Sequence, residues 1–451
     1  MEKSSRLSLR LQIRSFKNTF FQVNGLPFKD LLPDNLIKTI HQSGSSRDTV
    51  FTPLVTLRAF LFQVLSSTGS CKEAVAHVLI ERISFNCSEN TMNTGPYCKA
   101  RSRLLLSQLK ETVTSSGGKL HKQASNDWLW KGHRVMLVDG TTLLMPDTRN
   151  NQKTYPQQSS QKPGLGFPIV RLVGLLSLAT GSCVDYVLGA YQGKGSGETS
   201  LFSQLLNSLS TDDLLLADRY YTTYAIMALL LKQGTPLVFR QRGNVKSDFR
   251  RGQRLGAKDH IIRVQKPKKK PVWMADSRWI ELPGEIFVRE FSVDGVVYVS
   301  TLIDSKKYPK KSLAYLYQQR WKIELDFRTI KTHMGMEMLR CKTADMVNKE
   351  IAIHLLAYNL IRANVSRAAC LNNKKPRSLS FMATVQLIRN TASLCITLCG
   401  TALEKLILPL LIAMTETEIG NRIRPNQPRV IKRRPKAYPI MTKPRGEYVT
   451  C

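Results

Sequence analysis

Acidic residues are scarce in this chain. Its 451 residues include 33 Asp+Glu against 67 Lys+Arg, a formal net charge of +34. That excess is larger than solubility requires and points to a polyanionic partner, most simply a nucleic-acid backbone. A basic ribosomal or membrane-surface protein is the other reading, and it fits poorly with a chain of this length that is 42% apolar. Long hydrophobic runs are missing. The most apolar stretch, Leu406–Met414, is interrupted by Pro409, and no segment reaches the roughly 20 apolar residues that span a bilayer. The start, MEKSSRLSLRLQ, has no apolar signal core. No membrane partner is expected, and the chain reads as cytoplasmic. The nine cysteines (71, 87, 98, 183, 341, 370, 395, 399, 451) form no CxxC pair and no zinc-ribbon spacing, so they read as free thiols in a reducing compartment. The seven histidines show neither HxxxH nor HExxH and read as structural or surface residues. Gly164-Leu165-Gly166 is too short for a phosphate loop and there is no GKS/T signature, so no ATP dependence is expected.

What is present is a globular composition with room for roughly two or three domains. Residues 1–125 read as a helical, basic, DNA-binding region. Phe28–Thr39 and Leu54–Leu65 carry apolar residues at helical spacing, with Thr52-Pro53 as a start signal. A turn at Asn93–Pro96 precedes a further helical run, Tyr97–Val113. No helix-turn-helix pattern stands out. From residue 126 the pattern becomes α/β. Strands are expected at Arg134–Val138, Pro168–Ala179, Cys183–Leu188, Asp213–Ala217 and Leu237–Arg240. Helices are expected at Glu198–Ser210 and Thr222–Gln233. The alternation predicts a mixed sheet over 126–240. A β-rich basic insertion follows over 241–305, with a hairpin around Asp294-Gly295. Helices then fill 306–370, and 371–451 ends in a basic, proline-bearing tail. Of the excess charge, +10 falls in 240–275 and +8 in 419–451.

Two carboxylates sit where apolar strands end, Asp139 after Val135–Val138 and Asp218 after Asp213–Ala217. Neighbouring strands would bring them together at the rim of the sheet. Two adjacent anions call for a cation between them, and a hard divalent cation prefers oxygen ligands. A strand-end Asp that merely opens a turn is the competing reading for each. Further on, Tyr317, Arg320, Glu324 and Lys331 lie on the helix expected at Lys311–Thr332. At about 100° per residue they fall within an arc of about 60°. Either this is a solvated face with an Arg320–Glu324 pair, or it is a third metal-ligating acid bordered by phosphate-binding groups. Asp326 points away from the stripe, and Glu337 follows Gly335 near the helix end.

The segment YQQRWKIELDFRTIK, with Tyr317, Arg320, Glu324 and Lys331, resembles the Y-R-E-K signature of DDE transposases of the insertion-sequence-4 family. DGTT at Asp139 and LADRYY at Asp218 resemble that family's first two acidic motifs, and TGPYCKARSRL and KRRPKAYP extend the likeness over most of the chain. The resemblance implies a ribonuclease-H-like core with a β-rich insertion between the second Asp and the Glu, here 106 residues apart. It implies that Asp139, Asp218 and Glu324 bind two Mg²⁺ ions, with Mn²⁺ as a substitute, and that Tyr317, Arg320 and Lys331 hold the transposon end. It implies an insertion-sequence transposase, dimeric on DNA. Such an enzyme binds terminal inverted repeats, cleaves at them and joins 3′-hydroxyl ends to target DNA, associated with the nucleoid. Some members trap a flipped base with an aromatic of the insertion; Trp279 and Tyr298 are the candidates, with β-packing as the other reading. Lys268, Lys269 and Lys270, and Arg433 and Arg434 in the tail, are candidate backbone contacts. A non-cleaving end-binding repressor and a structure-specific nuclease are the alternative functions.

Overall fold

The computed structural model describes residues 50–84, 91–193, 195–397, 400–419, 441–444 and 447. The helix expected at Phe28–Thr39, and Arg433 and Arg434, lie outside the described residues. Four helices come first: α1 (Pro53–Leu65), α2 (Cys71–Ser84), α3 (Gly95–Arg103) and α4 (Leu106–Lys122). The start of α1 follows from its sequence. Extended Thr52 accepts a hydrogen bond from the Val55 amide at 3.3 Å, and Pro53 fills the first helical position, where no amide hydrogen is needed. The run Tyr97–Val113, expected as one helix, breaks at Leu104 and Leu105, neither of them helical. Packing explains the break. Tyr97 and Ala100 of α3 join a small core with Ala74, Val75 and Val78 of α2, whereas Leu109, Val113 and Leu120 of α4 join the main core. One straight helix would not serve both.

There follow β1 (Arg134–Leu144), α5 (Arg149–Thr154), β2 (Ile169–Ser177), β3 (Cys183–Ala190) and α6 (Glu198–Phe202). Next come β4 (Asp213–Ala217), α7 (Tyr224–Gln233), β5 (Leu237–Arg240), β6 (Gln253–Gly256) and β7 (Asp259–Gln265). Then come α8 (Asp276–Ile280), β8 (Glu285–Val293), β9 (Val296–Ser300), α9 (Lys310–Gln318), α10 (Lys322–Arg328) and α11 (Ala344–Leu371). The last helices are α12 (Phe381–Thr397) and α13 (Gly400–Glu416). The expected helix Glu198–Ser210 is only five residues long, with a 3₁₀ turn at Leu206–Ser208.

All nine strands form one sheet, in the order β3-β2-β1-β4-β5-β9-β8-β7-β6. β1, β4 and β5 run parallel, and every other neighbouring pair is antiparallel. The order β3-β2-β1-β4-β5 is a ribonuclease-H-like α/β core. The basic insertion lengthens that core: β9 pairs with β5 through Val238–Ser300, Phe239–Val299 and Arg240–Tyr298. Its hairpin turns where expected, on left-handed Asp294 (φ 50°) and Gly295 (φ 76°), the backbone of a two-residue turn that matches strand twist.

Side chains alternate across a strand, and here the alternation separates two cores. Val135 and Leu137 of β1, with Leu214 and Leu216 of β4, face the core built by α1, α4, α9, α10 and α11. Met136 and Val138, with Leu215 and Ala217, face the core built by α6 and α7. Among the described residues no helix is long and apolar enough to cross a membrane.

Candidate active site

The parallel pairing of β1 with β4 ends at Val138–Ala217. Asp139 and Asp218 are the next residue on each strand. By the same alternation both carry on the rows of Val135, Leu137, Leu214 and Leu216, the face that receives Ile323, Phe327 and Ile330. One expectation needs correction. Asp139 does not end its strand, because β1 continues to Leu144 along β2, with Asp139 opposite Gly174. Leu144 then bonds Glu337 and Leu339 through its backbone. Asp139-Gly140 is therefore no turn; what stops beside Asp139 is β4. Asp218 leads into a 3₁₀ turn, Arg219–Tyr221.

The single α-helix expected over 311–332 is a helical path of four pieces. A 3₁₀ turn at Gln319–Trp321 joins α9 to α10, and a π turn at Thr329–His333 follows. The Thr329 hydroxyl donates to the Leu325 carbonyl at 2.9 Å, a local bond that competes with the helical ladder; π turns of this kind recur at functional sites. A uniform 100° per residue therefore does not hold across the Y-R-E-K positions.

Arg320 joins the acids. Its Nη1 donates to Asp139 Oδ2 at 3.2 Å and its Nη2 to Glu324 Oε1 at 2.8 Å. α10 packs closely over Gly174 of β2: a Cβ there would lie 3.2 Å from Phe327 Cζ. Burial pushes the Asp139 carboxyl up to about 6. The Gly140 amide and Arg320 pull it down, and the charges of Glu198 and Glu324 push it up. Tyr317 is nearly buried. Its ring meets Tyr298 edge-on, centroids 5.2 Å apart, and burial raises its phenol well above the usual value. Lys331 is half-buried, and its carbonyl accepts from the Glu337 amide.

The remaining candidates fall elsewhere. Asp326 is buried in an ion cluster with Arg362 and Arg377, and Glu337 is exposed. Tyr298 is buried, stacked on Phe291 at 5.3 Å. Trp279, on α8, is half-buried, with the Lys266 ammonium 4.9 Å above its ring. Lys268 and Lys269 are exposed, whereas Lys270 pairs with Asp276 at 3.1 Å. Sequence reasoning missed Glu198. Its only sequence signal is an acid opening a helix after the glycine-bearing stretch 193–197.

As placed, no three of the described His, Cys, Asp and Glu residues stand close enough to hold a metal ion. The place between Asp139 and Glu324 nevertheless takes a positive charge, which the Arg320 guanidinium supplies. The acids offer oxygen donors alone, the set a hard divalent cation selects.

A family described as "Transposase DDE domain" matches residues 130–360. The chain is 25% identical over 379 residues to "Transposase InsG for insertion sequence element IS4" of Escherichia coli (strain K12), covering 81% of this chain and 83% of that protein. Among solved structures it is similar to the piggyBac transposase synaptic complex with hairpin DNA. That likeness covers 88% of this chain and 85% of the other, at 11% identity and a TM-score of 0.40. The family match spans more than half of the chain, from the residues before β1 into α11, and encloses Asp139, Asp218, Arg320 and Glu324. The chain therefore belongs to the DDE transposases of the insertion-sequence-4 family.

Proposed function

We propose that this protein binds the terminal inverted repeats of its insertion sequence as a dimer. It cleaves the DNA at the element ends and joins the freed 3′-hydroxyls to target DNA. The observation that carries the reading is the Arg320 clamp: one guanidinium holds Asp139 and Glu324 together where the β1–β4 pairing ends beside Asp218. Asp139, Asp218 and Glu324 would hold Mg²⁺, or Mn²⁺ in its place. When bound, such ions neutralise phosphate charge and activate an attacking hydroxyl.

The chain's own groups position the DNA. Arg320 and Lys331 supply positive charge for phosphates beside the acids, and the Tyr317 phenol borders them. Exposed Lys268 and Lys269 hold the backbone further out on the insertion, with Arg433 and Arg434 of the tail as additional contacts. Of the two candidate aromatics, half-buried Trp279 is the better placed to stack on a flipped base, since Tyr298 is already packed between Phe291 and Tyr317. The helices before residue 126 read the repeat. The protein acts on DNA in the cytoplasm, at the nucleoid.

The test is divalent-metal-dependent cleavage of end DNA by Asp139→Ala, Asp218→Ala and Glu324→Ala. Each variant is expected to bind ends without cutting them; cleavage retained by all three sinks the assignment. Joined products separate strand transfer from simple nuclease action. End binding by the unaltered protein with no metal-dependent cut would identify a repressor.

A further inference from the structure

Two adjacent tyrosines follow Asp218, and they part ways. Tyr221 is fully buried, its ring edge-on to Phe202 of α6 with centroids 5.4 Å apart. Tyr220 is 64% exposed. A lone exposed hydrophobic is ordinary on a protein surface, but the setting of Tyr220 is not. Consecutive Cα atoms are about 3.8 Å apart, so the Tyr220 Cα lies within about 7.6 Å of that of Asp218.

The backbone that presents this ring is fixed. It lies in the 3₁₀ turn Arg219–Tyr221, where the Tyr221 amide donates to the Asp218 carbonyl at 3.0 Å and the Thr222 amide to the Arg219 carbonyl at 3.2 Å. The turn is laced to the chain leaving β5. The Thr222 hydroxyl donates to the Arg240 carbonyl at 2.7 Å, and Arg242 Nη2 donates to the Tyr220 carbonyl at 3.2 Å. Arg219 reaches the same loop: its Nη1 would lie 4.0 Å from a Cβ on Gly243. Arg219 is exposed and Arg242 half-buried. No Asp or Glu stands in sequence between Asp218 and Asp248, so neither segment supplies an anion for these guanidiniums. A cationic surface with a solvent-facing aromatic is the chemistry that holds a nucleic-acid strand, the cations on its backbone and the ring on a base.

We propose that Tyr220, with Arg219 and Arg242, forms a nucleotide site beside Asp218. One base of a DNA strand stacks on the Tyr220 ring, and its phosphate is held by the two guanidiniums. The site deepens the DNA-cleaving reading given above and rests on it. The strand belongs either to the element end or to the target, and the two sources are separable.

The test is photo-crosslinking of the full-length protein to DNA carrying 5-iododeoxyuridine, a base that crosslinks to stacked aromatic side chains. One arm places it in end DNA at the nucleotides flanking the cut. The other places it in target DNA offered with pre-cleaved ends. A crosslink mapped to Tyr220 by mass spectrometry is expected in one arm, which names the strand. In that arm Tyr220→Ala should weaken DNA affinity by at least about fivefold, the scale of one base–aromatic stack, while Tyr220→Phe keeps the affinity. Because the side chain is exposed, Tyr220→Ala should keep the urea midpoint, which separates lost stacking from lost folding. No crosslink at Tyr220 in either arm, or affinity of Tyr220→Ala within twofold of the unaltered protein in both, overturns the site. A protein that cuts and joins DNA without the crosslink loses this site alone. One that gives the crosslink but makes no metal-dependent cut keeps the site and loses the cleavage reading.

Discussion

Glu324 and Asp326 lie two positions apart on α10, and neutralising each should have opposite consequences. The Asp326 side chain is 2% exposed and accepts three hydrogen bonds: Arg362 Nη2 at 2.8 Å, Arg377 Nη1 at 3.0 Å and Arg377 Nη2 at 2.8 Å. Arg377 also donates to the carbonyls of Ser177 and Leu178, so the cluster ties α10 to α11 and to the end of β2. Asp326→Asn conserves volume but leaves two guanidinium groups buried without an anion. Breaking one partner out of a buried ion cluster costs about 3–5 kcal/mol, a large part of the roughly 5–15 kcal/mol that holds a domain folded. Glu324 is 32% exposed and has one bond from Arg320, which a glutamine oxygen still accepts. Its neutralisation should change stability by under about 1 kcal/mol and abolish cleavage. Urea titration followed by tryptophan fluorescence, with end-DNA cleavage on the same samples, separates the two. An Asp326→Asn protein with the unaltered midpoint refutes the reasoning, as does a Glu324→Gln protein that cuts at the unaltered rate.

Other outcomes follow from charges held in unusual settings. Burial keeps the His354 ring neutral, at about 3, with Arg340 adding to the depression. Below the unfolded value near 6.5 the unfolded state binds more protons, so stability is complete above that pH. It falls by about 1.4 kcal/mol per unit as the pH drops toward 3. A His354→Leu protein should show a shallower loss of urea midpoint between pH 7 and 5, and an unchanged slope contradicts this. Asp139 runs the other way. Raised from 3.8 to about 6, its charge weighs against the folded state above that pH. Asp139→Asn should therefore raise stability at pH 7 by up to about 2–3 kcal/mol and change it little at pH 4. A lower melting temperature at pH 7 is the contrary result. Replacing Lys268 and Lys269 by Ala should weaken DNA binding and flatten its salt dependence by up to about two in log–log slope. Lys270→Ala should do less, since its ammonium already holds Asp276 and the Met274 carbonyl. Filter binding at two salt concentrations decides.

Much of the core was legible because its strands are bounded by strong local signals. The apolar runs Val135–Val138 and Leu214–Ala217 read directly as buried strands, and Asp294-Gly295 read as a hairpin turn. The four Y-R-E-K positions stood out by spacing, and Arg320 does join two of the acids. What stayed hidden depends on contacts distant in sequence. Asp139-Gly140 looks like the opening of a turn; only pairing with β2 keeps the strand extended to Leu144. The break at Leu104–Leu105 answers two separate cores rather than any local breaker. Asp326 reads as an off-stripe acid, but its counter-ions lie 36 and 51 residues downstream. Glu198 carries no motif, and only the fold brings its side chain over Gly140 of β1.

The sheet that runs unbroken from β3 to β6 limits how this protein can vary or be trimmed. Excising residues 241–305 would strip Val238, Phe239 and Arg240 of their β9 partners and leave the flank of a buried strand open, an invitation to pair with another chain. The core and its extension are thus one cooperative unit rather than a module with an accessory. Variation in length is best tolerated at the far margin, in four-residue β6 with its exposed Gln253 and Arg254 and in the loop that carries Lys268 and Lys269. A lineage of such enzymes could remodel its grip on DNA at that margin while Asp218 and Asp139, five and six strands away, keep their register.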